Sequence, residues 1–312
     1  MTPRRLIEGT FSMKIRNPFE SPGRWRKANL HTHTTTSDGN KPPAERAAQY
    51  REAGYAVLAL TDHEATNDVT NLSSDDFLVL SGMETHPDCP GSAIPYHVVC
   101  LNVPHGMRCE GDVNARIRQV KDAGGEAFVA HPYWCGFDVN HLLPVEGAIG
   151  LEVFNTTCCG CGKGFSSVHW DNLLERGEIV PALAVDDVHH PHDVFQGWTM
   201  IKAEDLTVEA IMEALRTGAY YSSCGPEIFE ARLVDGTVRV ECSPASEIHF
   251  IAQGPFGRSV YTDGDGRRGR CSPIASAEFA LSGEQKYVRV EIVDAHGRRA
   301  WTNPMIPGGN GS

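Results

Sequence analysis

Residues 29 to 39, NLHTHTTTSDG, place two histidines one residue apart and follow them with an aspartate and a glycine. Side chains two positions apart in an extended segment point to the same side, so His31 and His33 can bind one cation together. Asp38 precedes Gly39 in a loop that can carry its carboxylate back toward the histidines. The stretch therefore predicts a metal site at the end of a strand.

Residues of the same chemical types follow later apolar runs. They are Asp62 and His63 after residues 57–61, Glu84 after 77–82, His131 after 127–130, and Asp187 and His189 after 183–185. The carboxyl ends of parallel strands meet at one mouth of a barrel, so we expect these side chains to lie close together. Imidazole and carboxylate ligands suit zinc, manganese or iron, and this set is larger than one tetrahedral zinc can use. Two or three divalent metal ions are therefore predicted.

Short apolar runs alternate with amphipathic stretches up to about residue 220. This alternation is typical of buried parallel strands joined by helices, so it predicts an α/β layer or barrel. From Gly225 onward, alternating runs separated by turn signals such as VDGT predict a small antiparallel β domain. The expected organisation is an N-terminal leader (1–26), a hydrolase barrel (27–224), a β-sandwich-like domain (225–306) and a disordered tail (307–312).

Composition and charge narrow the class of protein. A chain of 312 residues with 41% hydrophobic content can bury a substantial core, and its net charge of −12 argues against a broad basic surface for nucleic acid. No apolar run is long enough for a signal sequence or a membrane span, so we expect a cytoplasmic protein with no membrane partner. Neither a Walker-type phosphate loop nor a dinucleotide fingerprint occurs, which argues against nucleoside triphosphate hydrolysis and redox chemistry.

The cysteines and the remaining histidines give weaker signals. Cys158, Cys159 and Cys161 lack the second pair of cysteines that a structural zinc site has, so metal binding there is the less favoured interpretation. His190 and His192 stay open, because a ligand register shifted by one would use one of them. A structural role is the interpretation for the others, which are His86, His105, His141, His169, His249 and His296.

Residues 27–225 resemble the PHP (polymerase and histidinol phosphatase) superfamily of metal-dependent hydrolases. The resemblance rests on HTHTTTSDG, LTDHE, GMETH, AHP and VDDVH, which occur in that family's order. It implies a distorted (β/α)7 barrel that holds up to three cations at the mouth formed by the carboxyl ends of its strands. The C-terminal segment looks like the carbaryl-hydrolase-like branch of the superfamily, which cleaves a carbamate ester.

The resemblance also implies which residues bind each cation. It assigns three ligand sets, of which the first two share one carboxylate: His31, His33, Glu84 and Asp187; Glu84, His97 and His131; and Asp38, His63 and His189. His97 begins an apolar run, so its inclusion depends on the resemblance more than on its spacing.

A water molecule shared by two cations has a pKa near neutrality and becomes a nucleophile. The expected function is therefore a metal-dependent phosphoesterase, which uses a metal-bridged hydroxide to hydrolyse a small phosphate monoester or a nucleotide-type diester. The expected partner is a small phosphorylated molecule, and the oligomeric state stays open. The alternatives are a metal-dependent carbamate or ester hydrolase and a non-catalytic metal-dependent scaffold whose β domain binds a partner or a glycan.

Several side chains are candidates for roles beside or beyond metal binding. Asp187 is assigned to catalysis through the metal it binds. Asp62 is a candidate for orienting His63 or transferring a proton, with a turn or cap role as the alternative. His189 is a candidate acid for the leaving group if its metal site is empty. Trp134 is a candidate wall for a substrate ring and Asn155 a candidate substrate contact, with core packing and strand capping as the respective alternatives.

Overall fold

The structure is a computed structural model that describes residues 15–262 and 272–308. The predicted leader and tail extend beyond these residues, at positions 1–14 and 309–312. Within the described ranges, no helix combines the length and the apolar character needed to cross a membrane.

Strands and helices alternate up to residue 223. The strands are β1 (Arg24–Asn29), β2 (Val57–Leu60), β3 (Leu78–Thr85), β4 (Val98–Leu101), β5 (Glu126–Val129), β6 (Leu151–Asn155), β7 (Ala182–Val185), β8 (Trp198–Ala203) and β9 (Tyr220–Ser223). The helices are α1 (Pro43–Glu52), α2 (Val113–Asp122), α3 (Pro132–Cys135), α4 (Val139–Leu142), α5 (Ser167–Leu174) and α6 (Val208–Arg216), and a 3-10 helix covers Thr157–Cys161. The side chains of Asp112 and Thr207 fix the starts of α2 and α6, because each accepts a hydrogen bond from the backbone N–H three residues later.

Strands β1 to β7 lie side by side in chain order. The pairs β1–β2, β2–β3, β5–β6 and β6–β7 are parallel, and a parallel bridge between Thr32 and Val188 joins the segments that follow β1 and β7. In contrast, β4 runs antiparallel to both neighbours. Residues 86–97, which connect β3 to β4, are described in full and contain no helix. A parallel β3–β4 pair would need a long crossover connection, so this short connection suits the antiparallel pairing. The predicted mixed α/β fold is confirmed, and its strand directions depart from regular βα units at β4.

The chain after Gly225 forms antiparallel strands that belong to two sheets. These strands are β10 (Ile228–Val234), β11 (Thr237–Ala245), β12 (Glu247–Ile251), β13 (Arg258–Tyr261), β14 (Ile274–Ala280), β15 (Arg289–Val293) and β16 (Arg299–Thr302). A separate antiparallel sheet contains β10, β11 and β14, in line with the predicted β segment. The other four strands extend the main sheet, because β16 pairs with β9. The main sheet therefore continues from the metal-ligand region into the C-terminal segment.

A buried ion-pair network also joins the two parts of the chain. The guanidinium of Arg289, on β15, donates to both carboxylate oxygens of Asp171 on α5, at 2.7 and 2.8 Å, and to Glu291 at 3.1 Å. The indole N–H of Trp301 donates to the same Glu291 oxygen at 3.0 Å, and the guanidinium lies 4.6 Å from the centre of the Trp170 ring. Arg289 is 1% exposed, so this group, called the Arg289 network below, is part of the core between α5 and the C-terminal strands.

Candidate metal centre

The predicted ligands gather at one edge of the main sheet. Most of them follow the carboxyl ends of parallel strands: His31 and His33 after β1, His63 after β2, His131 after β5, and Asp187 and His189 after β7. His97 precedes β4, and because β4 is antiparallel its start lies at the same edge as its neighbours' ends. The backbone is left-handed at His131 (φ 23°), at Asp187 (φ 55°) and at Glu64 (φ 49°), next to His63. Such angles are rare outside glycine and concentrate at functional sites.

Two imidazole nitrogens and two carboxylate oxygens form what we call the first pocket. Asp187 Oδ1 lies 3.1 Å from His31 Nε2 and 3.0 Å from His33 Nε2. Glu84 Oε2 lies 3.4 and 3.5 Å from the same two nitrogens. Both oxygens are buried and accept no hydrogen bond from the part of the chain that the structure describes. A buried carboxylate oxygen without a partner is costly, so these residues fit a cation bound among them.

Glu152 orients the His31 ring toward the first pocket. Its Oε1 lies 2.7 Å from His31 Nδ1, so Nδ1 carries a proton and Nε2 faces the pocket, where its lone pair would bind a cation. Burial lowers the pKa of His31, but the carboxylates of Asp187, Glu84 and Glu152 outweigh it and raise that pKa well above its usual range. The pocket therefore has an excess of negative charge, which a bound cation would balance.

The second pocket shares Glu84 with the first. Glu84 Oε1 lies 2.7 Å from His97 Nδ1 and 3.3 Å from His131 Nε2. On the far side of the His131 ring, Nδ1 lies 3.5 Å from Cys135 Sγ. The two oxygens of Glu84 face different pockets, so this carboxylate would offer one ligand atom to each of them.

The third pocket lies at the solvent edge of the cluster. The carboxylate oxygens of Asp38 lie 3.4 Å from His63 Nε2 and 3.4 Å from His189 Nε2, and His33 completes the group. His189 Nδ1 donates to the backbone carbonyl of Asp187 at 2.8 Å, so its Nε2 has a lone pair free toward Asp38. This tautomer suits a metal ligand better than a proton donor. The Asp38 side chain is 54% exposed, which makes this the most open of the three pockets.

Asp62 holds the loop that carries Asp38. Its carboxylate accepts hydrogen bonds from the backbone and hydroxyl of Thr34, both at 2.8 Å, from the Ser37 hydroxyl at 2.6 Å and from the Asn67 amide at 2.5 Å. Burial raises the pKa of Asp62, but hydrogen bonds from Ser37, Thr34 and Asn67 outweigh it and keep that pKa below its usual range. The contacts of Asp62 are therefore those of a residue that fixes the loop, as in the turn alternative.

Gly39 lets this loop fold tightly against itself. A Cβ at this position would lie 2.4 Å from the backbone carbon and oxygen of His33. We expect Gly39→Ala to push the loop outward and to lower the affinity for the most exposed cation about tenfold or more, with the other cations retained. An effect of this size is usual when a residue that supports a metal ligand is disturbed. Metal content measured across a chelator series checks this. Gly160→Ala, in open space, is the matched control, and equal cation retention in the two variants would contradict the prediction.

Glu152 and Asn155 support the ligands from β6. Glu152 Oε2 accepts from the backbone N–H of His131 and from the Asn155 amide, both at 2.8 Å, and that amide also donates to Asp187 Oδ2 at 3.1 Å. Asn155 is 1% exposed, so the structure places it among the ligands and away from the open mouth. Sequence reasoning missed Glu152. The available signal was a charged residue inside a run predicted to be a buried strand, where an unpaired carboxylate is costly.

Trp134 lies beside the second pocket. Its ring centre is 5.4 Å from that of His97 and 5.2 Å from that of His131, with both imidazoles at steep angles to the indole. The residue is 40% exposed, so it is not part of the core. Tyr133, the preceding residue, is 41% exposed, and Lys163 Nζ lies 5.6 Å from the centre of its ring. This edge of the mouth therefore offers aromatic surface and a nearby positive charge.

Most of the other histidines and the cysteines lie outside the candidate metal groups that the described residues form. His141 pairs with Asp138 in a helix cap, and His169 bonds to the carbonyl of Phe137. His190 and His192 stack on each other, and the His190 ring centre lies 6.5 Å from that of His189, but neither residue belongs to a candidate group. Cys158, Cys159 and Cys161, in the 3-10 helix, join none of these groups. His86 is the exception, because it lies within ligand distance of His63 and Glu84.

Comparison with solved structures confirms the fold. A two-domain protein from Bacteroides vulgatus, described as containing a predicted PHP-like metal-dependent phosphoesterase, matches 93% of this chain and 99% of its own, with a TM-score of 0.53 and 15% identity. The chain thus shares the fold of that protein over most of its length. An amidohydrolase from Chromobacterium violaceum matches 53% of this chain and 88% of its own, with a TM-score of 0.42 and 17% identity. A lesion-specific endonuclease from Pyrococcus furiosus matches 62% of this chain and 56% of its own, with a TM-score of 0.42 and 13% identity. No protein-family model and no curated protein matches the chain.

Proposed function

We propose that this protein is a metal-dependent phosphoesterase that hydrolyses a small phosphate monoester or a nucleotide-type diester. One observation carries the proposal: two buried carboxylate oxygens, on Glu84 and Asp187, have no hydrogen-bond partner among the described residues and face the nitrogens of His31 and His33. Manganese, zinc and iron accept this donor set. When bound, such cations lower the pKa of a shared water molecule and neutralise charge that develops on a phosphoryl oxygen.

The side chains around the cluster would fix the positions of its ligands. Glu84 sets the spacing of the first two pockets, because one oxygen faces each of them. Glu152 holds His31, and Asn155 holds Asp187. Asp62 contributes by keeping the Asp38 loop in place. Rigid positioning of this kind reduces the reorganisation needed during reaction.

The substrate would enter beside Trp134. Its exposed indole adjoins the ligands His97 and His131, so a planar leaving group bound there would lie next to the second pocket. Lys163, near the Tyr133 ring, would attract an anionic substrate to the same side of the mouth. The partner is therefore proposed to be a small phosphorylated molecule with a planar group.

A side-by-side hydrolysis assay tests the proposal. The substrates are 4-nitrophenyl phosphate and 4-nitrophenyl N-methylcarbamate, which share one coloured leaving group, each with manganese or zinc added. We expect faster release of 4-nitrophenol from the phosphate ester. Cations held by His31, His33, Glu84 and Asp187 would neutralise the phosphate dianion and the charge that develops on it, whereas the carbamate is uncharged.

The same assay separates the alternatives. Release from the carbamate alone would overturn the phosphoesterase proposal and favour a carbamate hydrolase, the activity suggested by the sequence of the C-terminal segment. Release from neither ester by protein loaded with cations would favour a non-catalytic scaffold.

A further inference from the structure

His86 lies against the third pocket, on the side opposite Asp38. Its Nε2 is 3.2 Å from Nδ1 of His63, and its ring centre is 4.3 Å from that of His97. The side chain is 20% exposed, at the rim of the cluster. Glu84 Oε2 lies 3.7 Å from the same Nε2, so His86 contacts three proposed ligands without belonging to any of the ligand sets assigned above.

The two nitrogens of His63 face different neighbours. Nε2 points toward Asp38, so a cation in the third pocket would bind it there and leave the proton on Nδ1. Nδ1 lies 2.9 Å from Glu84 Oε2, an oxygen that also faces the first pocket and would be bound by a cation there. With Glu84 Oε2 and His63 Nε2 both turned to cations, the Nδ1–H would point to its other near neighbour, His86 Nε2, at 3.2 Å.

Contacts around His86 hold its ring in the orientation that this bond requires. Its backbone N–H donates to Glu64 Oε1 at 2.6 Å, and the same oxygen lies 3.6 Å from His86 Nδ1. The Glu64 carboxylate favours a proton on Nδ1. The other carboxylate near the ring, Glu84 Oε2 at 3.7 Å from Nε2, would be taken up by a cation in the first pocket, which leaves the Nε2 lone pair for His63. Glu64 is itself held by Arg116 at 2.9 Å and by the hydroxyl of Thr85. The positive φ of Glu64 shows that the backbone accepts strain at this point.

We propose that His86 is a positioning residue for the third cation: it accepts the Nδ1–H of His63 and so holds His63 Nε2 toward Asp38. His31 and His189 show the same arrangement, because each donates Nδ1–H to an oxygen and directs Nε2 into a pocket. The proposal rests on the metal centre proposed above, but not on the bond that the enzyme cleaves.

Metal binding, measured independently of activity, tests the role of His86. The full-length protein is loaded with manganese or zinc and dialysed against a graded chelator, and bound metal is counted by mass spectrometry. The variants are His86→Leu, which removes the acceptor, and His86→Gln, whose carbonyl oxygen keeps one. His105→Leu, an exposed histidine outside the candidate groups, is the control.

We expect His86→Leu to lower the affinity for one cation by about 10- to 100-fold and to leave the affinity for the tighter cations unchanged. This is the size of effect seen when a metal ligand loses its hydrogen-bond partner. His86→Gln and His105→Leu should retain the third cation with close to wild-type affinity. Equal retention in His86→Leu and wild type would overturn the proposal, as would a wild-type protein that binds no third cation. If His86→Leu fails to fold, loss of the third cation in a folded His86→Gln variant would also overturn it. If the variants show this pattern of metal binding but the wild-type protein hydrolyses no ester, the phosphoesterase proposal is contradicted and the proposal for His86 stands.

Discussion

Replacing Asp187 with asparagine is expected to lower turnover by about a thousandfold or more. The substitution keeps the shape of the side chain but removes the charge from Oδ1, which lies 3.0–3.1 Å from the His31 and His33 nitrogens. Cation stabilisation of a transition state contributes several kcal/mol, and each 1.36 kcal/mol corresponds to about a factor of ten in rate. Initial rates on 4-nitrophenyl phosphate, with metal content measured on the same samples, check this expectation.

A matched control separates this effect from general damage to the protein. Phe229 is 56% exposed on β10, in the separate sheet, so Phe229→Ala should keep wild-type turnover and metal content. Turnover by Asp187→Asn within a few-fold of wild type, at equal metal loading, would mean that Asp187 is not needed for the reaction.

Replacing Arg289 with methionine is expected to lower the free energy of unfolding by about 3 kcal/mol. Removal of one partner of a buried ion pair typically costs about 3–5 kcal/mol, because the remaining charge stays buried without compensation. Glu291 would lose its bond to Arg289 but keep its contact with Arg299, which favours the lower end of that range. Asp171 is partly exposed and can recover hydration. Urea unfolding curves, followed by circular dichroism, measure the change.

An exposed ion pair provides the comparison for Arg289. Arg51 and Asp76 are 2.8 Å apart, with side chains 51% and 72% exposed. Such pairs contribute about 0–1 kcal/mol, so Arg51→Ala should change stability by less than about 1 kcal/mol. If Arg289→Met, like Arg51→Ala, lowered the free energy of unfolding by less than about 1 kcal/mol, the Arg289 network would not support the core.

The sequence predicted the composition of the candidate site better than its supporting contacts. His31, His33, His63, His131 and Asp187 follow apolar runs, and the ends of parallel strands share one edge of a sheet. These local patterns were enough to predict that the side chains would meet, as they do in the structure. Their role as ligands stays a prediction until bound metal is measured.

His97 and His86 show why spacing alone was insufficient. His97 precedes its strand, and its place at the mouth depends on the antiparallel direction of β4, which no short pattern specifies. His86 was interpreted as structural because a lone histidine near a strand end usually is. Its contact with His63 depends on the paths of two separate loops. Both positions follow from non-local geometry, whereas periodicity reports only on neighbours in the chain.

The pairing of the C-terminal strands was likewise outside the reach of local signals. Alternating runs and the VDGT turn correctly indicated antiparallel strands after Gly225. They carry no information on which sheet each strand joins, because edge pairing depends on the rest of the fold. The structure divides these strands between the separate sheet and the main one.

The hydrogen bonds between β9 and β16 limit how this protein can have evolved. Two domains joined by a linker can be exchanged between genes as independent modules, since neither completes the other. Here Tyr221, Ser222 and Ser223 are paired with residues of β16, so loss of the C-terminal segment would leave an open strand edge that favours aggregation. Any recombination near residue 225 would have to preserve that register, and the two halves are therefore expected to be inherited together.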